Sequence, residues 1–102
     1  MAEEFGDNIL LEKFELEEDE MNVARDIVGK YAKKISILTD YQQIKLEMKV
    51  HKKEASRQFE VRCNISYPQG MATSEDVGSN PFEAITNVLN KTLEEIKHKI
   101  RK

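Results

Sequence analysis

Two alternating stretches and two helical stripes organise this chain. Ile44, Leu46, Met48 and Val50 alternate with Lys45, Glu47, Lys49 and His51, a period of two that predicts a strand over 44–50. After a polar connection at Lys52–Ser56 the alternation returns, with Phe59, Val61, Cys63 and Ile65 set against Glu60, Arg62, Asn64 and Ser66. Tyr67-Pro68-Gln69-Gly70 has turn chemistry, because proline presets φ and glycine accepts a positive one. A weaker strand is expected from Met71 to about Val77. These three segments read as an antiparallel meander with one buried face and one wet face.

The helical stripes flank that meander. From about Asp19, residues Ala24, Ile27, Val28, Tyr31 and Ile35 fall on one side of a 3.6-residue wheel. Glu17, Glu18, Asp19 and Glu20 stand at or before its first turn, where the helix dipole favours negative charge. Lys33 and Lys34 are expected near its last turn. A second helix starts at Asn80-Pro81, an N-cap followed by a proline suited to the first helical position, with Glu83 at the capping-box position. Its narrow stripe is Phe82, Ile85, Leu89, Leu93, Ile96 and Ile100. Upstream, Ile9–Leu16 is expected as a short strand, and residues 1–8, with no apolar period, as a mobile acidic leader. The order is β-α-β-β-β-α. The predicted fold class is α+β: a two-layer sandwich whose mixed, mostly antiparallel four-stranded sheet carries two helices on one face, as one domain over 9–102.

Composition narrows the class without naming a function. The 102 residues are enough for one core, and 39% are hydrophobic. Apolar runs are too short to span a membrane and the N-terminus lacks a signal-peptide pattern, so a cytoplasmic protein is expected. A single cysteine, Cys63, allows no internal disulfide and no cysteine zinc site. Charge is uneven. Residues 1–20 carry nine acidic side chains against Lys13, a net of −8, while residues 21–102 carry fifteen basic against ten acidic, a net of +5, which together give −3. The body is therefore mildly basic behind an acidic leader, and polyanion partners stay open.

Catalytic chemistry is thinly represented. His51 and His98 lie far apart with no carboxylate at ligand spacing, so no metal site is expected. Cys63 is in register with core positions and lacks an activating base. Glu75-Asp76 and Glu94-Glu95 are neighbours that diverge on a strand or a helix. Gly78-Ser79 before a helix start could hold a phosphate, although strand exit plus cap is the plainer reading. No phosphate-loop, dinucleotide-binding or nucleophile-elbow motif is present. The expectation is a non-enzyme with no cofactor.

Basic residues form three groups: Lys30, Lys33 and Lys34 on the first helix; Lys45, Lys49 and Arg62 on the polar sheet face; and Lys91, Lys97, Lys99 and Arg101 on the last helix. Singly, each reads as a solvated face. Together, on a basic body, they read as a surface for structured RNA. Phe59, Tyr31 and Phe82 are needed in the core, so base stacking lacks a platform and contact is expected mostly to the phosphate backbone.

Three stretches carry a family resemblance: Ala24-Arg25-Asp26-Ile27-Val28-Gly29-Lys30-Tyr31-Ala32-Lys33-Lys34-Ile35, Ile44-Lys45-Leu46-Glu47-Met48-Lys49-Val50, and Ala72-Thr73-Ser74-Glu75-Asp76 leading into Pro81-Phe82-Glu83-Ala84-Ile85 and a lysine-rich helix end. Over roughly residues 9–102 the chain resembles the ribosome hibernation-promoting factors, also called ribosome-associated inhibitor or protein Y. That resemblance implies ribosomal RNA or the small ribosomal subunit as partner. It implies binding in the decoding channel through lysines and arginines of both helices, with Lys30, Lys33, Lys34, Lys97, Lys99 and Arg101 at comparable places. Two alternatives stand beside it. One is a protein-interaction or homodimerising module that pairs its edge strand Ile9–Leu16 across a dimer. The other is a double-stranded-RNA-binding-like domain, whose lysines at the start of the second helix are missing from Asn80-Pro81-Phe82-Glu83-Ala84.

Overall fold

The computed structural model describes residues 2–5, 8–53 and 56–100. Its elements are β1 (Ala2–Phe5), β2 (Ile9–Glu12), α1 (Glu18–Leu38), β3 (Gln43–Lys53), β4 (Ser56–Tyr67), β5 (Gly70–Gly78) and α2 (Pro81–Ile100). From β2 onward this is the predicted β-α-β-β-β-α order, with strands β2 to β5 forming a mixed sheet. β2 runs parallel to β3, and β3–β4 and β4–β5 are antiparallel. The alternation seen along 44–50 and 59–65 is the reason: Ile44, Leu46, Met48, Phe59, Val61, Cys63 and Ile65 all point to the helix side and are at most 2% exposed.

A fifth strand was not in the pattern. Ala2–Phe5 pairs antiparallel with β2, from Ala2 opposite Glu12 to Phe5 opposite Ile9. Pairing to an existing edge satisfies backbone groups without needing an apolar stripe, so this strand has little signature in its side chains. The expected leader therefore includes a paired strand at 2–5, while residues 1, 6 and 7 lie outside the described residues. β2 itself is shorter than expected. It stops at Glu12 because Lys13 takes a positive φ of 58°, and Phe14 and Leu16 pack against the core from an irregular segment.

Helix α1 starts at Glu17, whose N–H donates to the Glu20 carboxylate at 3.0 Å. It runs on to Leu38, a turn beyond the stripe, so no lysine occupies its last turn and Lys33 and Lys34 sit within the helix. Asn80 caps α2 as predicted: its Oδ1 accepts from the N–H groups of Phe82 at 2.9 Å and Glu83 at 3.2 Å. Met21, Ala24, Val28, Ala32 and Ile35 of α1 and Ile85, Val88, Leu89, Leu93 and Ile96 of α2 close one core over the sheet. Each large apolar side chain buried there contributes about 1.5–3 kcal/mol. A polar strut crosses that core: Ser74 Oγ donates to Val88 O at 2.8 Å, and Thr92, fully buried, sits 2.7 Å from Ser74 Oγ.

Strand directions fix the helix directions. β2, β3 and β5 run one way, so each helix that follows or joins them returns the other way, and α1 and α2 are parallel. Tyr31, midway along α1, reaches Asn90, midway along α2. Both helix C-termini thus share one end of a molecule 47 Å long, and the β3–β4 hairpin projects at the other.

Candidate nucleic-acid interface

The sheet's open face is a lattice of paired charges. Arg62 Nη2 lies 2.6 Å from Glu75 Oε1, Lys45 Nζ 3.5 Å from Glu12, and Lys13 Nζ 3.3 Å from Glu47. His51 Nε2 meets Glu60 at 3.1 Å. Register produces this: Glu47 stands opposite Arg62, and Arg62 opposite Glu75. Among the described side chains of this face, Lys13, Lys45, Lys49 and Arg62 are matched in number by Glu12, Glu47, Glu60 and Glu75. The dip between Glu47, Lys49, Glu60 and Arg62 is only about 40 Å³, far below a ligand pocket. Of the three predicted basic residues here, only Lys49 has no carboxylate partner among the described residues.

Helix α1 presents the opposite arrangement. Lys30, Lys33 and Lys34 are all exposed, and among the described residues none of them is ion-paired. Lys34 Nζ sits 4.8 Å over the Tyr31 ring, and Tyr31 Oη donates to Asn90 Oδ1 at 2.7 Å, so α2 anchors the ring that supports this lysine. Sequence reading assigned Tyr31 to the core alone; nothing in the chain marks a partner 59 residues away. Ile37, 84% exposed, extends the same face one turn past Lys33. The acidic first turn, Glu18 to Glu20, is ten or more residues back along the helix. At 1.5 Å per residue that is about 15–24 Å, beyond the ~8 Å Debye length of physiological salt. The acidic first turn is thus electrostatically separate from the lysines, and the one carboxylate between them on α1 is Asp26, a turn before Lys30.

At the shared helix end, Lys97 pairs with Glu94 at 3.3 Å and Lys99 with Glu95 at 3.8 Å, both one turn apart on exposed helix. Such pairs are worth a few tenths of a kcal/mol, and a phosphate displaces them readily. Arg101 lies outside the described residues. Lys91 is committed elsewhere: its Nζ donates to Glu75 O at 3.2 Å and Asp76 Oδ1 at 3.3 Å, covering the outer edge of β5. Asp76 also accepts from Asn87 Nδ2 at 3.0 Å, and this hydrogen bond, with Lys91, holds its carboxyl below the usual carboxylate range.

The remaining candidate groups have defined surroundings. The α2 start lines a groove of about 290 Å³ that includes Asp76 and Glu83, and Asn80 already occupies the Phe82 and Glu83 N–H groups, which opposes a phosphate at Gly78-Ser79. Cys63 is fully buried and its thiol is pushed up to about 12 by that burial. Among the described residues no three His, Cys, Asp or Glu side chains group to hold a metal, and no helix is long and apolar enough to cross a membrane. Ile9–Glu12 lies between β1 and β3, so the edge strand on which the dimerising alternative depended is interior.

No protein-family model matches the chain, and no curated protein matches it in sequence. Among solved structures, the N-terminal domain of protein Y from Thermus thermophilus has a similar fold, with a TM-score of 0.60, 9% identity, and coverage of 90% of this chain and 94% of that one. At that identity the likeness is one of fold.

Proposed function

We propose that the chain is a non-catalytic RNA-binding domain that associates with the small ribosomal subunit in the manner of hibernation factors and acts by occupancy. The observation that carries this reading is the contrast in counter-charge: Lys30, Lys33 and Lys34 are exposed and unpaired, whereas the cations of the sheet face are largely neutralised. Parallel helices bring Lys97 and Lys99 to the same end, widening the basic surface across two elements. Flexible ammonium groups on a convex helix surface suit phosphate oxygens, which carry no sequence information, better than base edges. The fold shared with a protein Y domain accords with this role.

Co-sedimentation with purified ribosomal subunits at low and moderate salt tests it. Pelleting with the small subunit that weakens steeply with salt is the expected result, with log affinity falling by nearly one unit per log unit of salt for each phosphate neutralised. A chain that stays in the supernatant at both salts, or pelleting indifferent to salt, overturns the proposal.

A further inference from the structure

The β3–β4 hairpin is longer than the core requires. β2 accompanies β3 only over 44–47, and β5 accompanies β4 only as far as Phe59, so 51–53 and 56–58 continue as a ribbon with no neighbouring strand. His51, Lys52, Ser56, Arg57 and Gln58 are all exposed. Lys52 stands directly opposite Arg57 in the register, and like charges in that relation are destabilising. Two-stranded ribbons are only marginally stable to begin with. Neither residue is ion-paired among the described residues, nor is Lys49, three positions before Lys52 and on the other face. Arg57 is held with its guanidinium 5.4 Å from the ring centroid of Phe59, itself 2% exposed, so the charge is aimed by a buried anchor. Elsewhere on the sheet, Lys13, Lys45 and Arg62 have carboxylates; among the described residues none is seated on Lys52 or Arg57, and Glu60, opposite Lys49, is taken by His51.

We infer that the free end of the β3–β4 hairpin, through Lys52, Arg57 and Lys49, is a second RNA-phosphate contact, so that one molecule holds two RNA segments at its two ends. This rests on the reading that the helix lysines bind RNA. The topology separates the sites: the hairpin lies at the end where both helices begin, and the lysines of α1 and α2 lie toward the end where both finish, in a molecule 47 Å long. A single backbone following α1 between them passes Glu17, Glu18, Asp19 and Glu20, which repel it. Two separate segments avoid that turn.

A bridging assay tests the inference with RNA duplexes of about 20 base pairs, one immobilised on beads and one fluorescent in solution. The full chain is expected to capture the fluorescent duplex on the beads at low salt. K52E/R57E should lower capture roughly tenfold while changing single-duplex affinity less than about threefold, because bridging needs both ends and binding needs one. K33E/K34E should lower both. Capture by K52E/R57E equal to the parent chain, as an undirected dimer would also give, overturns the inference. Single-duplex binding by the parent without capture overturns it too, and leaves the helix reading standing; no duplex binding at all removes both. K52Q/R57Q, which removes the opposed charges without inverting them, guards against a folding defect and should lower capture in the same direction.

Discussion

The open face of the sheet and the exposed face of α1 carry similar numbers of cations and are different surfaces. On the sheet, Arg62 reaches Glu75, Lys45 reaches Glu12 and Lys13 reaches Glu47; on α1, Lys30, Lys33 and Lys34 reach no carboxylate among the described residues. A polyanion approaching the sheet must displace carboxylates that are already seated, and one approaching α1 displaces water and counterions. Counting basic residues does not tell which cations are open to a polyanion. What tells them apart is where the fold withholds the opposing charge.

The sharpest way to break that comparison is to remove the bare cations. K30Q/K33Q/K34Q should lower affinity for small subunits or duplex RNA by on the order of 100-fold at low salt and reduce the salt slope by about two to three units. Filter binding across a salt series reads both, and an unchanged slope would place the contact elsewhere. K45Q/R62Q, equally conservative in size, should change affinity less than about threefold. The converse test frees the sheet cations. E47Q/E60Q/E75Q leaves Lys13 and Arg62 without carboxylates, and a roughly tenfold gain in affinity at low salt is expected from that change of three charges. No gain would mean that geometry, and not pairing, silences the sheet.

Two smaller effects concern the framework that holds the faces apart. Asp76, with its folded-state carboxyl held low by Asn87 and Lys91, stabilises the fold above the ordinary carboxylate range, and that contribution is lost as pH falls through its depressed folded value. Asp76→Asn should therefore lower stability at neutral pH and flatten the loss of stability below about pH 4, measured by denaturant unfolding at several pH values. Tyr67 has the one buried side-chain oxygen without a hydrogen-bond partner among the described residues. Tyr67→Phe removes an unsatisfied hydroxyl from a site 2% exposed, so stability should stay level or rise by up to about 1 kcal/mol. A loss of more than that in thermal or urea unfolding would reveal a partner for the hydroxyl.

Much of the architecture was legible because its causes are local. The period of two along 44–50 and 59–65, the stripe from Ile85 to Ile100, the Asn80-Pro81 start and the Pro68–Gly70 turn each act within a few residues, and each reappears in the structure, whereas Phe82, expected in the core, stands outside it. Local signals also misplace boundaries. The Lys52–Ser56 segment reads as a connection, yet β3 continues to Lys53 and β4 begins at Ser56, because pairing with a facing strand outweighs polar composition. β1 escaped for the same reason. Its hydrogen bonds belong to the edge it joins and leave no period in its own side chains.

By itself the chain determined the element order from β2 onward, the two-layer class, the buried Cys63 and the exposed lysines of α1, since periodicity and capping are properties of neighbouring residues. Only the tertiary structure decided which cations are paired and which are left bare. Arg62 lies 13 residues from Glu75 and Lys91 lies 15 from Asp76, and Tyr31 and Asn90 meet across two helices. Parallel helices gather the lysines at one end and the hairpin carries its own to the other. Cross-strand register and helix direction are set by the packing of the whole chain, and a charge becomes available or silent only when that packing brings its partner near or leaves it out of reach.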